Sequence, residues 1–85
     1  MDRLPNCMDA LRVLARHPGS QGNRVRLAEI RINEYLGPDV AALRSLLERL
    51  AEAVRIEAEE HPMESSFWDV VREYVGSWLS KLPEN

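Results

Sequence analysis

This chain contains a single cysteine, Cys7, so no disulfide can form within its 85 residues. The neighbours of this thiol, Asn6 and Met8, offer no general base, which favours a buried structural role over a reactive one. The first residues also lack the apolar run of a signal peptide. Because reducing compartments keep thiols free, these absences together favour a cytoplasmic protein.

Long apolar runs are also missing from the chain. The longest run spans only a few residues, which is too short to cross the hydrocarbon core of a bilayer. The sequence therefore predicts no transmembrane helix and no membrane partner.

Residues that bind metals or perform catalysis are equally scarce. The two histidines, His17 and His61, each precede a proline in separate segments, and no spacing brings them near Cys7. The serines lie in no recognisable nucleophile motif, and the glycine-containing stretch 19–22 lacks the lysine and the preceding strand of a phosphate loop. A chain this short also has little material for a deep cleft. We therefore expect no enzyme activity, no metal and no cofactor.

Lysine is rare, since ten of the eleven basic residues are arginine, a bias typical of GC-rich bacterial or phage coding. The charge is uneven along the chain. Residues 1–37 hold six arginines against four acids, a balance of +2, whereas residues 38–85 hold five basic groups against ten acids, a balance of −5. This polarity allows the basic half of one copy to attract the acidic half of another.

A periodic apolar pattern is the strongest structural signal in the sequence. Five apolar residues recur at spacings of 3, 4, 3 and 4: Val40, Leu43, Leu47, Leu50 and Val54. This spacing predicts a helix over about 38–60 that is buried along one side. Glu57 stands where the next apolar residue would fall, so we expect the pattern to stop there. Two heptads are too few for an autonomous coiled coil.

Similar patterns predict three more helices. They cover about 5–17, 23–36 and 66–81, with Asn23 as the N-cap of the second and Gly37 as its stop. The second helix is the least certain, since 24–27 and 30–32 each alternate polar and apolar residues as a strand does. The alternation slips phase at Ala28, which favours the helix. We thus predict an all-α domain over 1–85, either a compact four-helix bundle or an orthogonal helical array.

The last helix carries four of the five aromatic residues of the chain. Its apolar residues cover more of its circumference than packing at the edge of a small bundle requires. Either this helix is central to the core, or part of it faces another chain. On the second interpretation, the predicted partner-binding residues are Phe67, Trp68, Val71, Tyr74, Trp78 and Leu82.

Arginines around the loop at 17–22 indicate an alternative function. On this hypothesis, five arginines form a basic surface that contacts an anion or a nucleic acid. They are Arg12, Arg16, Arg24, Arg26 and Arg31. The sequence pI of about 5.3 disfavours it, because neutralising phosphates needs positive charge. We therefore predict a small protein–protein interaction module (an adaptor, an inhibitor or a homo-oligomeric regulator), which binds a protein partner or itself as a homodimer. The alternative is a small nucleic-acid-binding regulator.

Overall fold

The computed structural model describes residues 3–83, which form four α-helices and one short 3₁₀ turn, without any β-strand in that range. The α-helices are α1 (Leu4–Arg16), α2 (Gln21–Tyr35), α3 (Val40–Glu60) and α4 (Ser65–Lys81), and the 3₁₀ turn is Pro62–Glu64. The predicted all-α fold is confirmed, and each predicted boundary lies within two residues of the observed one. The segment at 23–36 is helical and not a strand.

Side-chain caps explain where two of the helices begin. Ser20 precedes α2, and its Oγ accepts a hydrogen bond from the backbone N–H of Asn23 at 3.2 Å. The prediction of Asn23 as the N-cap is therefore wrong, because Asn23 lies in the first turn. Asp39 caps α3 by accepting from the backbone N–H of Ala41 at 3.0 Å, so α3 begins at Val40 rather than at 38.

The end of α2 also differs from the prediction. Leu36 follows the helix with extended backbone angles, and its N–H donates to the carbonyl of Asn33. No glycine within residues 3–83 has a positive φ, so the helix ends before Gly37 without a left-handed residue. The chain instead leaves the helix one residue earlier, on the way to Pro38.

The cap at Ser20 gives a direct stability prediction. Replacing Ser20 with alanine should lower the free energy of unfolding by about 1 kcal/mol, since one N–H of the first turn then loses its acceptor. Asn23→Ala is the matched control and should change stability by about 0.5 kcal/mol or less, as a surface substitution away from a cap. Urea unfolding followed by circular dichroism measures both. Equal losses in the two variants contradict the assignment of the cap.

The four helices pack in a ring around one cluster of buried side chains. The most extensive contacts join α3 to α4 and α1 to α2, and further contacts join α2 to α4 and α1 to α3. The buried apolar residues are Cys7, Met8, Leu11, Leu14, Ala15, Ala28, Ile32, Leu47, Leu50, Val54, Phe67, Trp68, Val71 and Val75. None of the helices within residues 3–83 is both long enough and apolar enough to span a bilayer.

The buried face of α3 continues past its apolar residues. Leu47, Leu50 and Val54 are fully buried, whereas Val40, at the start of the helix, is 37% exposed. The apolar pattern does stop at Glu57, yet this residue is only 7% exposed. It can be buried because Arg12 of α1 pairs with its carboxylate, as described below.

Cys7 lies in the core with no exposed surface. Burial raises the pKa of its thiol to about 11, because an apolar environment disfavours the thiolate. The side chain therefore stays a neutral thiol at physiological pH and fills space in the core. This agrees with the structural role predicted for it.

Candidate protein-interaction surface

Half of the predicted partner-binding residues lie inside the domain. Phe67, Trp68 and Val71 are at most 1% exposed, and the rings of Phe67 and Trp68 pack edge to face with centroids 5.2 Å apart. The Trp68 indole N–H donates to Oε1 of Glu64 at 3.1 Å, so its polar atom is also satisfied. Packing within this chain thus accounts for these three side chains, and they offer no surface to a partner in this structure.

The other three predicted residues reach the surface. Tyr74, Trp78 and Leu82 are half-buried, and Trp78 and Leu82 pack against the core. The rings of Tyr74 and Trp78 are tilted at 74° with centroids 6.4 Å apart. The Tyr74 hydroxyl donates to Oδ1 of Asn33 on α2 at 3.0 Å. This bond fixes the position of the ring between α2 and α4.

Tyr74 and Trp78 line an open groove between α2 and α4, which we call the α2–α4 groove. Its full lining is Glu29, Val70, Glu73, Tyr74, Ser77, Trp78 and Lys81. Glu73, Ser77 and Lys81 are exposed, and Val70 is half-buried. Within residues 3–83, neither Glu73 nor Lys81 has an ion-pair partner. The groove therefore combines two half-buried aromatic rings with two charges that no described residue pairs.

Sequence reasoning missed the polar part of this groove. The signal was present, since Val70, Glu73, Ser77 and Lys81 follow one another at spacings of 3, 4 and 4, which places them on one side of a helix. The apolar pattern of α4 mainly marks its buried side, which is a different side of the helix. Glu29, on α2, had no such signal, because its position depends on how α2 packs against α4.

The five predicted arginines do not form one free basic surface. Their partners lie within the chain: Arg12 pairs with Asp9 and Glu57, Arg16 with Glu64, and Arg31 with Glu34. Arg24 donates to the carbonyl of Ala15 and to the side chain of Gln21. Arg26 is exposed and has no ion-pair partner within residues 3–83. Three of the five arginines are thus paired with acidic side chains of the same chain.

The pair formed by Arg12 and Glu57 is the most buried charged contact in the described part of the chain. Nε of Arg12 donates to Oε1 of Glu57 at 2.7 Å, and this hydrogen bond is the main reason that the pKa of Arg12 is raised. The Glu57 side chain is 9% exposed, while that of Arg12 is 38% exposed. Oε2 of Glu57 has no hydrogen-bond partner, although His61 Nε2 lies 3.5 Å away. The ion pair of Arg12 with Glu57 therefore joins α1 to α3.

A second ionic contact joins α1 to the start of α4. Glu64 accepts from the Trp68 indole through Oε1, and its Oε2 lies 3.3 Å from Nε of Arg16. The Glu64 side chain is only 17% exposed, although its neighbours Glu59 and Glu60 are exposed. Glu64 therefore joins Arg16 of α1 to the buried Trp68 of α4.

Another open groove lies where α3 begins, lined in part by Arg3, Tyr35, Pro38 and Leu46. The Arg3 guanidinium donates to the carbonyl of Tyr35 at 3.1 Å. No group of three or more histidine, cysteine or acidic side chains within residues 3–83 is placed to hold a metal ion. Neither groove gathers the nucleophile, base and orienting group that covalent catalysis uses.

Comparisons of this chain with protein-family models, with curated protein sequences and with solved structures find no match.

Proposed function

We propose that this protein is a non-enzymatic protein–protein interaction module that binds its partner in the α2–α4 groove. The observation that carries the proposal is the position of Tyr74 and Trp78, half-buried in the groove beside the unpaired Glu73 and Lys81. An adaptor, an inhibitor or a homo-oligomeric regulator of this size all work by presenting such a surface.

The two aromatic rings supply the affinity on this proposal. Tyrosine and tryptophan are enriched at interfaces because they bury a large area and keep a polar atom for the rim. The Trp78 side chain already packs against the core, so ordering this ring on binding costs little side-chain entropy. The bond from Tyr74 to Asn33 adds to this by holding the ring in place.

The charges at the edge of the groove supply orientation. Glu73 and Lys81 are exposed, and pairing them with charges on a partner costs less desolvation than pairing buried groups. Their opposite signs at two levels of α4 also disfavour a partner docked in the reverse direction. This arrangement of aromatic centre and charged rim matches the general anatomy of protein interfaces.

A photo-crosslinking experiment tests the proposal. A benzophenone amino acid is placed at Ser77, within the groove, and in a matched variant at Ser66, an exposed serine of α4 that lines neither groove. After irradiation in the native cells, we expect a specific protein adduct from position 77 that is absent or much weaker from position 66. Equal labelling at the two positions, or no adduct at 77, contradicts the proposed function.

Four of the five arginines predicted for the nucleic-acid alternative are engaged within this chain, and only Arg26 is exposed without an ion-pair partner in residues 3–83. Arg12, Arg16 and Arg31 are paired with acids of the same chain, and Arg24 is bonded to α1 and α2. Each such pair reduces the positive charge that is offered to phosphates. We therefore do not propose it.

A further inference from the structure

We propose that the occupant of the α2–α4 groove is α4 of a second copy of this chain, running antiparallel about a two-fold axis at Ser77. This inference rests on the proposed function and names the partner of the same surface. It follows from the order of charges, aromatic rings and small residues along α4.

The two charged residues of α4 that line the groove are placed symmetrically about Ser77. Glu73 lies four residues before Ser77 and Lys81 lies four residues after it. At a rise of about 1.5 Å per residue, each charge is about 6 Å from the level of Ser77 along the helix axis. The two are about 12 Å apart within one helix, which is too far for an ion pair. Accordingly, both are unpaired within residues 3–83.

An antiparallel second copy supplies ion-pair partners for both Glu73 and Lys81. A two-fold axis perpendicular to the helices at Ser77 brings Glu73 of each chain to the level of Lys81 of the other, so two ion pairs form at once. A parallel arrangement places Glu73 beside Glu73 and Lys81 beside Lys81, and is disfavoured by repulsion. The groove-lining charges of α4 therefore complement each other in the antiparallel direction only.

The aromatic residues fit the same arrangement. Tyr74 is three residues before Ser77, so its ring lies beside Lys81 of the second copy, where a cation–π contact forms. Trp78 is one residue past Ser77, so the two indoles lie on the same side of the contact, close to the axis. Ser77 itself is small and exposed, which lets the helices approach at the axis. Burial of half-exposed aromatic surface then drives association.

Sedimentation equilibrium of the full chain over a range of concentrations tests the inference. We expect a reversible monomer–dimer equilibrium for the unaltered chain. Ser77→Glu places two like charges at the axis, so it should weaken dimerisation at least about tenfold. The side chain of Ser77 is exposed, so circular dichroism should show an unchanged fold. Ser45→Glu is the matched control and should dimerise normally.

A charge swap tests the antiparallel register. Glu73→Lys and Lys81→Glu should each weaken the dimer, because each creates two like-charged contacts. The double variant restores opposite charges and should return to within about threefold of the original affinity. A double variant that stays weak overturns the antiparallel arrangement.

A chain that remains a monomer at every concentration overturns the inference. The crosslink at position 77 separates this result from failure of the proposed function. An adduct with a different protein leaves the proposed function standing and overturns self-association, whereas an adduct of twice the mass of the chain supports both.

Discussion

Replacing Trp68 with alanine should lower the free energy of unfolding by about 3–5 kcal/mol, the range for deleting a large aromatic ring from a core. Trp68 is completely buried and packs edge to face on Phe67. Its removal leaves a cavity and also leaves Glu64 without the indole donor. A domain whose stability lies at the lower end of the usual range of about 5–15 kcal/mol is left partly unfolded by this loss. Urea or thermal unfolding followed by far-UV circular dichroism measures it.

Two control variants separate packing from hydrogen bonding at this position. Trp68→Phe keeps most of the ring volume but loses the donor to Glu64, so it should destabilise much less than the alanine variant. Trp78→Ala removes a ring of the same type that is only half-buried, and should cost clearly less stability than Trp68→Ala. Equal losses for the two alanine variants contradict the assignment of Trp68 to the core and Trp78 to the surface.

Replacing Arg12 with methionine should destabilise the fold by about 2 kcal/mol, because it leaves the buried Glu57 carboxylate without its partner. The effect is smaller than for a fully buried pair, since the Arg12 side chain is 38% exposed. Equilibrium unfolding in urea at neutral pH measures the change. Arg31→Met is the matched control; the pair of Arg31 with Glu34 is exposed, so its loss should cost about 0.5 kcal/mol or less.

The double variant Arg12→Met/Glu57→Met shows whether the buried charge causes the loss. Removing both partners leaves no unpaired carboxylate, so the double variant should be more stable than Arg12→Met alone. If the losses of the two single variants simply add, the two side chains are not coupled and the interpretation of the pair is wrong.

All four helices could be predicted from the sequence because amphipathic spacing is a local property. The spacing of Leu47, Leu50 and Val54 alone identifies α3. Boundaries were less accurate, because Ser20 and Asn23 are both good N-caps and only the backbone geometry selects between them. The burial of Glu57 could not be predicted for a different reason, since it depends on Arg12, which lies on another helix.

The candidate site was predicted only in part. The sequence identified α4 and its aromatic residues, and Tyr74, Trp78 and Leu82 do reach the surface. The sequence did not show that these three residues reach the surface while Phe67 and Trp68 are buried. Which side of α4 faces inward depends on how it packs against α2 and α3. Apolar residues covered most of α4, so its pattern did not reveal which side faces inward.

The bond between Arg12 and Glu57 joins positions 45 residues apart in the chain. Single helices form in about a microsecond or less, but a contact of such separation requires closing a long loop, which disfavours its early formation. We therefore expect α1 to dock onto α3 only after the separate helices have formed. Interactions that are absent from the transition state affect the unfolding rate more than the folding rate. On this order of events, Arg12→Met should raise the unfolding rate more than it lowers the folding rate, which stopped-flow kinetics measures.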